Sequence, residues 1–124
     1  MLKYDDQNIF AKILRGEIPN DTVAETAHTL VFRDINPQAP VHLLVIPKGP
    51  YVSFDDFTAN ASDAELLDFM RTVAKVAKDA GVSLDTGDGF RAITNAGLNG
   101  VQEVPHFHLH ILGGRPLGRM LARD

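Results

Sequence analysis

Apolar residues recur at helical spacing near the start and in the middle of the chain, and alternate with polar ones elsewhere. Ile9, Phe10, Ile13 and Leu14 fall on one face of a helix predicted over Ile9–Arg15 and ended by Gly16. Extended runs are predicted at Thr22–Glu25, Thr29–Arg33 and His42–Pro47, with the proline-rich stretch Asp34 to Pro40 as an irregular connection between the last two. Ser62-Asp63-Ala64-Glu65 is a capping box. It opens a long helix whose apolar positions Leu66, Leu67, Met70, Val73, Ala74 and Ala77 repeat until Gly81. Strands are predicted at Phe90–Asn95 and His106–Leu112, joined by a polar, glycine-containing loop over Ala96–Pro105. Helix, three strands, long helix, two strands is the order of an α+β domain with an antiparallel sheet and segregated helices.

Length and composition sharpen this picture. A chain of 124 residues, 44% hydrophobic and 23% charged, fits one globular domain spanning 1–124, without repeats or low-complexity tracts. With no cysteine, disulfides, thiolate zinc sites and a cysteine nucleophile are excluded. No run approaches the ~18 apolar residues of a membrane span, and Met1-Leu2-Lys3-Tyr4-Asp5-Asp6 lacks the layout of a signal peptide. A soluble protein of the reducing cytoplasm is expected. Twelve basic against sixteen acidic residues, a net charge of −4, argue against binding nucleic acid polymers through their backbone. A small phosphorylated ligand needs only a few local donors and stays in play.

Candidate chemistry concentrates in one strand. Side chains alternate along a strand, so His106, His108 and His110 share one face while Phe107, Leu109 and Ile111 share the core-facing other. A metal site is one reading of such a row. Three histidines at i, i+2 and i+4 span ~13 Å of a flat strand, however, and zinc needs each nitrogen within ~2.1 Å. No carboxylate follows in Ile111-Leu112-Gly113-Gly114, so the expectation is no metal and no other cofactor. The second reading is nucleophilic attack on phosphorus. With a pKa near ~6.5 an imidazole is mostly neutral at pH 7 and can attack without a separate base, while its neighbours donate to oxygens or to the leaving group.

The run from His106 to Gly114 resembles the histidine-hydrophobic-histidine-hydrophobic-histidine signature of the histidine triad (HIT) family. The segments Ile9–Pro19, Phe32–His42 and Gly114–Gly118 resemble landmarks of the same family, in particular its branch of nucleotide-binding proteins. The resemblance covers nearly the whole chain. It implies a HIT-like fold: a five-stranded antiparallel sheet with one long and one short helix, and sheets joined across a homodimer. It also implies hydrolysis of the P–N bond of purine nucleoside 5′-phosphoramidates through a nucleotidyl-histidine intermediate, with purine nucleoside monophosphates as ligands. The alternative is a nucleotide-binding interaction protein with little turnover.

By the same resemblance His108 is the nucleophile, His110 contacts the phosphate or leaving group, His106 supports the arrangement and His42 completes the cluster. Asp34 would accept the ribose hydroxyls. Ile9, Phe10, Ile13, Phe32 and Ile35 match walls of the base pocket, and Asn95, Gln102, Glu103 and Val104 match the phosphate-binding loop. Two departures stand out. Val101 places a side chain where many relatives have glycine, and Glu103 replaces a serine that in some relatives donates to the phosphate; a glutamate cannot donate and repels an anion.

Overall fold

A computed structural model describes residues 3–122. Met1 and Leu2, read above for a leader, lie outside the described residues, as do the last two residues of the predicted domain. The elements are α1 (Ile9–Leu14), β1 (Thr22–Glu25), β2 (Thr29–Arg33), β3 (Val41–Pro47), α2 (Phe54–Asn60), α3 (Asp63–Asp79), β4 (Phe90–Ile93) and β5 (Leu109–Gly113). The strands form one antiparallel sheet in the order β1-β2-β3-β5-β4. No helix among the described residues is long and apolar enough to cross a membrane.

Alternation along the central strands gives the sheet two apolar faces. Val31, Leu43, Val45 and Ile111 face α2 and α3 and pack with Phe57, Phe69, Val76 and Phe107. Leu30, Phe32, Leu44 and Ile46 face the other way and pack with Phe10 of α1. Both faces being covered, β2 and β3 are buried nearly throughout. His42 and Leu44 share a side of β3, so the histidines belong to the α1 face.

The predicted capping box is present. Ser62 Oγ accepts the Glu65 amide, and Glu65 returns a bond to the Ser62 amide. The buried face of α3 is Phe69, Thr72, Val76 and Ala77, with Leu66 and Val73 partly buried. Leu67 and Met70 point outward, because positions 69, 72, 73 and 76 fall on the sheet-facing side.

Helix α2 has no counterpart in the expected element order. Ser53 precedes it without a side-chain cap bond, Asp55 and Asp56 fill its first turn, and Phe57 is its one buried residue. Phe57 stacks on Phe107 at 5.0 Å and meets Phe69 at 5.1 Å. Tertiary aromatic packing thus holds a helix too short to be stable alone.

The histidine strand is shorter than expected. Pairing to β3 starts at Leu109, opposite Val45, rather than at His106. Pro47 has no amide to extend the ladder, and its carbonyl accepts the His106 side chain instead. The Phe107 amide goes to the Tyr51 carbonyl, and the Thr94 hydroxyl takes the His108 carbonyl in place of a ladder bond, so β4 stops at Ile93 rather than Asn95.

Candidate functional site

The imidazoles are held by a chain of hydrogen bonds that fixes where each proton sits. His106 is wholly buried. Its Nε2 lies 2.9 Å from the Pro47 carbonyl, which only accepts, so Nε2 carries the proton. Nδ1 is therefore bare and accepts the Tyr4 hydroxyl at 2.7 Å. His108 Nδ1 donates at 2.8 Å to the backbone carbonyl of His106, which leaves its Nε2 without a proton. On β3, the Gln38 amide donates to His42 Nδ1, so His42 donates from Nε2 to His110 Nδ1 at 2.9 Å. His110 then keeps its proton on Nε2.

Burial is the main influence on all four rings, and it disfavours the charged form. It pushes His106 down to about 4 and lowers His108 against the opposing charges of Asp34 and Glu103. His110 falls to about 4 through burial and the nearby His108 and His42. His42 is lowered by burial in spite of Asp34. All four are neutral at pH 7, as the proton placements above require.

Among the described residues His108 Nε2 and His110 Nε2 have no hydrogen-bond partner, yet no buried side-chain nitrogen or oxygen lacks one. Both atoms therefore reach open space. That space is a cavity of about 310 Å³ lined by Phe10, Asp34, Gln38, Leu44, Asn95, Val101, Glu103, Val104, His108 and His110. The His108 and His110 rings stand 5.1 Å apart there, and Phe10 meets the His108 ring edge-on at 5.0 Å. A bare nitrogen and an N–H aimed into one cavity can form a bond to an electrophile and protonate what leaves.

Other expected residues sit as follows. Phe32 lies behind the wall, edge-on to Phe10 at 5.5 Å. Asp34 Oδ1 accepts the Asn36 amide and Oδ2 lies 3.4 Å from His42 Nε2, so it is a turn former that also borders the site. Asn95 lines the cavity and ties its Nδ2 to the Gly100 carbonyl at 2.6 Å.

Besides Phe32 and the supporting His42 and His106, four more expected residues do not line the cavity. Ile35, 87% exposed, is lifted away by the Asp34 turn, and Ile9, 45% exposed, sits at the outer start of α1. Ile13 packs toward the second core cluster and opens on a separate groove beside Leu30 and Lys48. Gln102 is turned inward as a brace, its Nε2 donating to the Val52 and Val104 carbonyls. Spacing alone missed Tyr4, Gln38 and Leu44. Leu44 was findable, because it alternates with His42 and pairs with His110.

Val101 departs from glycine in the way that matters most for backbone. It has a φ of +57°, the one positive value among the described non-glycine residues. Such a conformation is uncommon for a β-branched side chain. A different trio could hold a metal: ligand atoms of Asp34, His42 and His110 lie within 4.8 Å of one another. An ion there would have to displace the His42 to His110 hydrogen bond.

Comparison with known proteins places this arrangement. The sequence model of the HIT domain matches residues 15–117. The chain belongs to the HIT domain family. A 13.2 kDa HIT-like protein of Azospirillum brasilense is 52% identical over 120 residues, covering 97% of this chain and 96% of that one. The purine nucleoside phosphoramidase of Escherichia coli K12 is 47% identical over 118 residues, covering 94% and 95% respectively. The solved structure of a HIT family hydrolase from Clostridium thermocellum superposes with a TM-score of 0.82 at 37% identity, covering 94% of this chain and 99% of that one. The five-stranded antiparallel sheet is thus the HIT fold. Tyr4, which holds His106, and Phe10, which lines the cavity, precede the matched HIT segment.

Proposed function

We propose that this HIT protein hydrolyses purine nucleoside 5′-phosphoramidates through a nucleotidyl-histidine intermediate on His108. The observation that carries the reading is the bond from His108 Nδ1 to the His106 carbonyl, which leaves Nε2 bare at a cavity shared with the His110 N–H. The 47% identity to a protein named purine nucleoside phosphoramidase supports the substrate class.

The chemistry runs in two displacements. His108 Nε2 attacks the α-phosphorus, an N–P bond forms and leaves that ring cationic, the P–N bond to the leaving amine breaks, and the amine takes the His110 Nε2 proton, the negative charge left on His110 being balanced by the adjacent cationic His108 ring. Water then attacks the phosphorus and gives a proton to His110 Nε2. The His108–P bond breaks and nucleoside monophosphate is released. Phe10, Leu44 and Val104 offer the purine an apolar wall. Asp34, although it holds the Asn36 amide, keeps lone pairs for the ribose hydroxyls.

His108→Ala is expected to lower hydrolysis of adenosine 5′-phosphoramidate by at least about 10³-fold while circular dichroism is unchanged. Undiminished turnover would remove His108 as the nucleophile. A second reading, a nucleotide-binding interaction protein, is favoured by Glu103, whose carboxylate lines the cavity. Tight binding of AMP with negligible turnover of every phosphoramidate would select it.

A further inference from the structure

Glu103 borders the reacting atoms yet is committed to nothing. It lines the cavity with His108, His110, Asn95 and Val101, and its charge is felt at the His108 ring. Among the described residues it makes no hydrogen bond and no ion pair with a basic side chain. The lining contains a second carboxylate, Asp34, and neither lysine nor arginine. Arg115 reaches only the outside of the wall, donating to the Gln38 and Pro116 carbonyls. Since burial also keeps His42, His106, His108 and His110 neutral, the cavity offers donors to a phosphate without a compensating positive charge.

We propose that Glu103 makes the cavity a charge selector, accepting nucleotides whose α-phosphate carries one negative charge and disfavouring those that carry two. This rests on the reading above, that the cavity receives a nucleotide phosphate. An α-phosphate substituted by an amine or an ester has one ionisable oxygen left and is a monoanion at neutral pH. Hydrolysis frees the second oxygen, whose pKa near ~6 makes the product a dianion at pH 7.5. Substrate and product therefore differ by one unit of charge beside an exposed carboxylate, a difference of about fivefold in affinity. Glu103 lets substrate in and drives product out.

The test is binding rather than turnover, measured by calorimetry on the intact protein at pH 7.5 and low salt. The probes are adenosine 5′-monophosphate, a dianion, and adenosine 5′-(methyl phosphate), a monoanion with the same nucleoside. The wild type is expected to prefer the methyl ester by at least about fivefold, and Glu103→Gln to lower that ratio by about fivefold. Raising the salt to about 0.5 M should narrow the wild-type ratio as well, a check that needs no variant. A ratio unchanged by both Glu103→Gln and salt, or AMP bound as tightly as the ester by the wild type, overturns the role of Glu103 while leaving the nucleotide site intact. Binding of neither probe to the wild type overturns the site reading and this inference together.

Discussion

His110 receives the Nε2 proton of His42 at Nδ1, 2.9 Å away, whereas His108 gives its own Nδ1 proton to a backbone carbonyl. The two imidazoles thus face one cavity in opposite tautomers, and the assignment of nucleophile and proton donor follows from their partners. The donor role has its own signature. His110→Ala should slow release of an alkylamine, which must be protonated to leave, by about 10²–10⁴-fold. With a leaving group of low pKa, such as a nitrophenolate ester of AMP, the loss should stay under about tenfold. Equal losses with both leaving groups in steady-state kinetics would assign His110 to binding alone. At this scale the sequence was informative about the three alternating histidines and silent about what fixes them. Their partners are the Tyr4 hydroxyl, the Pro47 and His106 carbonyls and the His42 ring, itself set by the Gln38 amide; the backbone groups among these carry no residue-type signal.

The loop from Asn95 to His106 is where local structure and chemistry meet. It is closed by the Asn95 bond to Gly100, by the Gln102 amide on Gly97 and by the Gln102 side chain on Val52. Val101 turns this loop in the left-handed region with its side chain 68% exposed, so it bears conformational strain with little burial to offset it. Val101→Gly should stabilise the protein by about 0.5–1 kcal/mol, the relieved strain exceeding glycine's greater unfolded-state freedom. A rise in Tm of roughly 2–5 °C in a thermal melt is the expected result, and a fall would contradict it. Elements with strong periodicity, α3 and the central strands, were legible in advance. The histidine strand was legible in its alternation but not in its start, because Pro47 and Tyr51 divert its ladder bonds from positions remote in sequence. Helix α2 escaped because its single buried residue, Phe57, is held by Phe69 and Phe107 rather than by its own neighbours.

In the whole molecule, the price of neutral buried imidazoles is sensitivity to acid. An unfolded histidine titrates near ~6.5, and burial holds His106 at about 4 and His110 at about 4. The unfolded chain therefore takes up protons first as pH falls. The contribution of these groups is fully present above about pH 6.5 and is lost as pH drops from there through about 4. For His106 alone the loss between pH 7 and pH 5 is about 2 kcal/mol, readable as a lower urea midpoint at pH 5. An identical midpoint at both values would mean that these rings are not buried neutral. That neutrality, with a cavity on its free nitrogen, is what the role proposed for His108 requires. The most direct test is rapid acid-free quenching of the protein mixed with adenosine 5′-phosphoramidate, followed by peptide mass spectrometry. An adenylyl group carried on His108, forming and decaying within the turnover time, is the predicted result; steady hydrolysis with no adduct on that histidine at any time would contradict it.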